Sequence, residues 1–290
     1  MNKLRSSACL CVLPSVLLLL ATAAAAKDLA IDRATLHQIE DGPPIDASIQ
    51  FQPSETVYLS FRATGFETKQ KDEELQSLSL RYRIEVQDPF AVYAIAPILG
   101  AITTDMRKED KDWAPKVRAE IRLPDFAARG KYKVLLWLKD ELSNAEARRE
   151  MTFTVTGRDV APATELTVRN FGFYRTEDDR RPLTEAVYAA GSPVLVRFDI
   201  VGYQMSPAPK NAFQIEYGLT VTGPDNKVKI SQPTAATENY ENPYPRRWLP
   251  AGFRLDLPKE FVPGRYEVVM EVRDKQADKK LEVRQFFLVE

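Results

Sequence analysis

The chain has 290 residues, of which 44% are hydrophobic, 10% aromatic and 28% charged. Those proportions belong to ordinary globular proteins and exclude a disordered chain, a collagen-like repeat and a polytopic membrane protein. The 40 basic and 41 acidic residues leave a net charge of −1 with no concentrated basic block, so nucleic acid is excluded as a partner for want of an electrostatic footprint.

Lys3 and Arg5 open the chain, Leu10 to Ala21 form a short apolar run, and Ala23-Ala24-Ala25-Ala26 follows before Lys27. This is the pattern of a secretory signal, and it predicts a segment 1–26 removed by cleavage after Ala26. The apolar run is short for a membrane span and Pro14 interrupts it, so the mature chain is expected to hold no span and to reside in the periplasm or outside the cell. Cys9 and Cys11 are the two cysteines. Both leave with the signal, which removes any disulfide or thiolate metal site from the mature protein.

Residues 27–157 and 158–290 read as two copies of one pattern. Leu29 and Ile31 begin the first copy as Leu166 and Val168 begin the second, and His37 falls opposite Tyr174. Val57, Leu59, Phe61 and Ala63 alternate with Tyr58, Ser60 and Arg62, the period of a strand with one buried face. Phe61 and Gly65 recur as Phe198 and Gly202. Leu80, Tyr82, Ile84 and Val86 alternate in the same way, and Tyr82, Val86 and Pro89 recur as Tyr217, Val221 and Pro224. Trp113-Ala114-Pro115 recurs as Trp248-Leu249-Pro250, which predicts a tryptophan packed at one edge of each copy. Finally, Leu123-Pro124, Gly130-Lys131-Tyr132, Asp140, Phe153 and Val155 return as Leu257-Pro258, Gly264-Arg265-Tyr266, Asp274, Phe287 and Val289, all 134 positions later. No long segment has helical periodicity, and 20 prolines punctuate the connections. About seven strands per copy predict an all-β protein, two tandem immunoglobulin-like β-sandwiches joined by a short linker near residues 156–163.

The run Leu-Pro, five residues, Gly-x-Tyr, an alternating strand, Asp and a closing Phe-x-Val resembles bacterial immunoglobulin-like and macroglobulin-type domains. Its Gly-x-Tyr is similar to the tyrosine corner that stabilises a turn before a central strand. The resemblance implies architecture and leaves function open, since such sandwiches host many activities.

Catalytic chemistry has few candidates here. His37 is the single histidine, so triads and histidine metal clusters are not available. Nucleophile elbows, phosphate loops and dinucleotide fingerprints are missing. Carboxylates alone can hydrolyse glycosides, but Asp72-Glu73-Glu74, Glu109-Asp110 and Glu177-Asp178-Asp179 are flanked by Lys or Arg in the manner of solvated loops. The expectation is a non-enzyme with no catalytic residue, metal or cofactor.

Where the copies differ is more informative. The connections between Pro89 and Trp113 and between Pro224 and Trp248 have equal length and unrelated composition, and long connections are disproportionately functional. In the second copy, Asn239 to Arg247 supplies Tyr240, Tyr244, Arg246 and Arg247, side chains suited to recognising protein or sugar. In the first copy the run Phe90 to Ile102 is strongly apolar. Leu135 and Trp137 interrupt an otherwise polar strand face in that same copy. The expectation is that 90–102 folds over that face, with docking onto a partner as the alternative. The function read from the sequence is an exported, non-catalytic interaction or structural module with an extracytoplasmic protein partner. Alternatives are a carbohydrate binder that stacks sugar on Tyr240 and Tyr244, a two-sandwich periplasmic chaperone, and a carboxylate-only hydrolase.

Overall fold

The computed structural model describes residues 28–290 except Ala47 and Lys111. The expected signal and its cut after Ala26 lie outside the described residues. Within them the chain forms seventeen strands and no helix, so none is long and apolar enough to cross a membrane.

The first sandwich contains β1 (Ala30–His37), β2 (Gln50–Phe51), β3 (Thr56–Thr64), β4 (Lys69–Gln70), β5 (Leu75–Gln87), β6 (Ile98–Arg107), β7 (Lys116–Arg122), β8 (Gly130–Asp140) and β9 (Glu146–Val155). One sheet has the order β1-β3-β7. The other runs β2-β9-β8-β5, with β4 beside one flank of β5 and β6 on the other. The second sandwich repeats this with β10 (Thr167–Tyr174), β11 (Val187–Tyr188), β12 (Pro193–Val201), β13 (Phe213–Thr222), β14 (Val228–Tyr240), β15 (Trp248–Asp256), β16 (Gly264–Asp274) and β17 (Lys279–Val289). Its sheets are β10-β12-β15 and β11-β17-β16-β13-β14. In each copy a two-residue strand, β2 or β11, pairs parallel with the last strand while all other pairs are antiparallel. Two packed sheets in this order are immunoglobulin-like sandwiches.

Alternation explains the cores. Val57, Leu59, Phe61 and Ala63 of β3 face inward with 1% exposure or less, opposite Tyr132, Val134, Leu136 and Leu138 of β8. The Gly-x-Tyr motif is a tyrosine corner in both copies. Tyr132 donates to the Ala128 carbonyl at 2.9 Å and Tyr266 to that of Val262 at 3.0 Å. Gly130 and Gly264 hold φ at 140° and 150°, and a Cβ there would lie 2.6 Å from Pro89 Cγ or 2.5 Å from Pro224 Cγ. Only glycine fits such a site.

The repeated aspartates are also explained. Buried Asp140 accepts the Glu67 N–H at 2.8 Å and the Leu142 N–H at 2.9 Å; Asp274 accepts those of Gln204 at 2.7 Å and Gln276 at 2.9 Å. Each fastens the end of the β3 or β12 region to the hairpin that follows β8 or β16. Burial raises the pKa of Asp140, but the hydrogen bonds from Glu67, Ser143 and Leu142 outweigh it and hold the carboxyl below the usual range.

Two expectations are corrected. The apolar run does not fold over Leu135 and Trp137. Its second half becomes β6, in the plane of the sheet, with Ile98, Ile102 and Met106 packed on the edge of the core and Leu99 71% exposed. An extended run beside an open strand satisfies its backbone by joining the ladder, which a cover segment could not do. Leu135 and Trp137 therefore remain half-exposed on an open face beside Arg83 and Arg148. The two tryptophans are not equivalent either: Trp113 is 43% exposed, whereas Trp248 packs edge-on against Phe126 of the first sandwich.

Candidate functional site

Four connections meet where the sandwiches touch. The first sandwich contributes Asp88–Pro97, after β5, and the corner Pro124–Arg129, before β8. The second contributes Ser206–Asn211, before β13, and Glu241–Arg247, between β14 and β15.

Asp88 stands at the centre of the seam and is 3% exposed. Its Oδ1 accepts the N–H groups of Phe90 at 2.8 Å and Val92 at 2.9 Å, which shapes its own loop. Its Oδ2 accepts the Tyr244 hydroxyl at 3.1 Å and pairs with Arg247 at 2.8 Å. Tyr244 is itself only 3% exposed and belongs to the core cluster of the first sandwich, although it comes from the second. Its oxygen accepts the Ala128 N–H at 3.1 Å and an Arg247 N–H at 3.2 Å, and lies 3.5 Å from the Tyr132 hydroxyl. The tyrosine corner of the first sandwich is thus wired to a side chain of the second.

Cationic and aromatic groups complete the seam. Arg247 lies 4.4 Å over the Phe90 ring and Arg246 lies 3.7 Å over that of Phe126, contacts that gain strength where water is excluded. From the linker, Arg158 pairs with buried Asp199 at 2.9 Å and lies over Trp248. On the far side of Tyr244, Tyr240 donates to its carbonyl at 2.8 Å, and Asn211 donates to the carbonyls of Asn242 and Pro243 at 3.1 and 2.7 Å. These bonds hold the Glu241–Arg247 loop in one shape.

Burial, and then the neighbouring Tyr244 hydroxyl, push the Tyr132 phenol far above its ordinary value; burial likewise raises Tyr244. Both are neutral hydrogen-bonding groups at physiological pH. Burial also lowers Arg246, against the opposing pull of Tyr203 and Glu238.

Beside this network the same loops enclose a groove of about 800 Å³. Tyr93, Ile95 and Pro97 line it from the first sandwich, with Phe126 of the corner; Pro209, Tyr240 and Pro243 line it from the second. Aromatic, proline and aliphatic side chains make up most of its walls. Tyr93 is 44% exposed at its rim.

The structure therefore brings Tyr240, Tyr244, Arg246 and Arg247 together in the seam between the sandwiches. Tyr240 and Tyr244 reach the groove, while the two arginines stack within the joint. A sugar-stacking platform needs an exposed ring face, which buried Tyr244 does not offer. Asp88, Phe126 and Arg158 are the seam residues that sequence reasoning missed. Asp88 carried a readable sign, because the aligned position of the second copy is Gly223.

Elsewhere, His37 is 6% exposed at the end of β1, within 2.9 Å of Ser60 Oγ and 3.1 Å of the Pro43 carbonyl. Asp72 and Asp179 cap their own turns through backbone N–H groups. Among the described residues no group of three or more His, Cys, Asp or Glu side chains could hold a metal ion.

No family model matches the chain, and no curated protein matches it. Among solved structures, the C-terminal domain of the Streptococcus agalactiae antigen I/II polypeptide BspA is similar at 8% identity and TM-score 0.30, covering 90% of this chain and 99% of that one. The C-terminal domain of the Streptococcus pyogenes antigen I/II-family protein AspA is similar at 10% identity and TM-score 0.28, covering 89% and 99%. The alpha-2-macroglobulin of E. coli is similar at 9% identity and TM-score 0.27, covering 90% of this chain and 17% of that one. At these TM-scores the likenesses carry no functional argument. The fold class rests on the strand order.

Proposed function

We propose that this protein is an exported, non-catalytic recognition module that holds an extended segment of another extracytoplasmic protein in the groove between its two sandwiches. One observation carries the reading: the two connections in which the copies differ converge on a single groove. Binding sites form preferentially at domain interfaces, and walls of aromatic, proline and aliphatic side chains suit an extended peptide. The hydrogen-bonded network behind the groove fixes its shape before any partner arrives, which lowers the ordering cost of binding.

A photo-activatable side chain at Tyr93 tests the proposal in the native host, with the same probe at Val262, in the equivalent corner of the second sandwich, as control. A discrete protein adduct formed from Tyr93 and not from Val262 supports the groove. Equal labelling from both positions, or none from Tyr93, refutes it. Export is tested separately by mass spectrometry of the native protein: an N-terminus at Lys27 supports it, and an intact Met1 refutes it.

A further inference from the structure

The first sandwich leaves one sheet edge unguarded. β6 pairs with β5 from Leu75↔Arg107 to Ile84↔Ile98 with no shift of register, and its ten residues contain no proline. Sheet edges of this length normally carry a bulge, a proline or an inward charge, any of which stops another chain from adding a strand. The duplicate does so. β14, in the same place in the second sandwich, shifts register twice against β13 and contains Pro233. On β6 the core-facing residues Ile98, Gly100, Ile102, Thr104 and Met106 are half-buried and uncharged.

The backbone of β6 is also available. Lys108 N–H donates to the Glu74 carbonyl, in the same register that pairs β6 with β5. Even-numbered residues therefore turn their backbone groups toward β5. The odd-numbered Leu99, Ala101, Thr103 and Asp105 turn theirs outward. Those outward groups have no backbone partner among the described residues.

We propose that β6 is a self-association edge, at which two copies of this chain add their β6 strands antiparallel about a two-fold axis at Ile102. An isologous interface must be complementary to itself, and the residue order of β6 meets that condition about this position. On the core side Ile98 meets Met106 of the second copy, Ile102 meets its own mate, and Gly100 meets Thr104. On the solvent side Leu99 meets Asp105 and Ala101 meets Thr103, so no like charges are opposed. The odd-numbered pairs exchange backbone hydrogen bonds, while Ile102 occupies the intervening position where side chains approach closest. Gly100 makes room for the Tyr82 ring of β5, since a Cβ there would lie 2.2 Å from it. Without the expected signal, which carries Lys3 and Arg5, the net charge is −3 (38 basic against 41 acidic residues), small for a chain of this length and offering little resistance to association. Because β6 begins immediately after Pro97 of the groove wall, pairing carries two grooves on one assembly and gives bivalent capture.

Multi-angle light scattering of the purified protein reads the outcome. The unsubstituted chain is expected at twice its own mass. The variant Ala101→Lys/Thr103→Lys opposes like charges in both symmetry-related pairs and is expected at single mass. The variant Ala101→Glu/Thr103→Lys opposes unlike charges in those pairs and restores the doubled mass. The substituted side chains face solvent, and circular dichroism establishes that each variant is folded. An unsubstituted chain at single mass overturns the proposal and leaves the edge to a strand of some other protein. A doubled mass that survives the two lysines, or a failure of the unlike-charge variant to restore it, overturns the pairing about Ile102.

Discussion

Removing the Tyr244 side chain is expected to destabilise the first sandwich, although the residue belongs to the second. The hydroxyl and the ring can be separated. In Tyr244→Phe, Asp88 loses one donor but keeps Arg247 and the N–H groups of Phe90 and Val92. Two N–H groups lose their acceptor, one of Arg247, whose guanidinium keeps its pairing with Asp88, and that of Ala128, which is left without its partner. One orphaned donor in a buried seam costs about 1–2 kcal/mol. Tyr244→Ala also removes a ring buried to 3% exposure among first-sandwich core residues, and the total reaches about 3–5 kcal/mol by analogy with large aromatic truncations. For a chain of this size that corresponds to a fall in melting temperature of roughly 6–20 °C. Hydrogen exchange followed by mass spectrometry assigns the loss to a domain. Protection should fall in β5 and β8 as well as in the loop around residue 244. If Tyr244→Ala lowers protection only in β13 and β16, or leaves the melting temperature unchanged, the seam is not a shared core and the reasoning fails.

Gly130→Ala and Gly264→Ala should each cost more than about 1 kcal/mol, because both φ and the facing proline reject a Cβ; equal tolerance of alanine in thermal melts would contradict the corner geometry. Asp140 has a folded-state pKa below its unfolded value, so its stabilisation is complete above the unfolded value and is lost as pH falls through the folded one. Asp140→Asn should accordingly flatten the acid limb of stability against pH, and an unchanged limb would show that the carboxylate is not the responsive group. Ile95→Asp with Ile98→Asp should lower the melting temperature by damaging the edge of the first core. The same variant should leave quenching of Trp137 unchanged in a background lacking the other two tryptophans, since β6 lies beside that face and does not cover it; a rise in quenching would restore the folded-over model.

The features legible in the sequence are those that local chemistry dictates twice. Alternation over 57–63 and 80–86 marks strands, and Gly130-Lys131-Tyr132 with Gly264-Arg265-Tyr266 marks a corner because each copy needs the same φ and the same hydroxyl bond. The bulge at Arg33 and Asn170, with φ of 47° and 51° in β1 and β10, also recurs but has no residue type in common, so repetition did not reveal it. The seam escaped for a different reason. Tandem sandwiches touch through one end of each copy, so contact residues have no reason to repeat: Asp88 aligns with Gly223 and Phe126 with Glu260. Divergence at those positions is the trace of the joint, and it shows that a position differs without showing what it touches. Phe90 to Ile102 was misread because apolar content alone does not distinguish a strand that extends a sheet from a segment that covers one.

The central claim is that the seam locks the two sandwiches, so that the groove exists before a partner binds. The chain beyond residue 26 has no cysteine, so spin labels can be placed cleanly through Glu150→Cys on exposed β9 and Glu282→Cys on exposed β17. Pulsed electron resonance then measures the distance distribution between the domains. The account predicts a single narrow distribution that broadens when Tyr244→Ala is added. A broad distribution in the parent labelled protein, unaltered by that change, would contradict it.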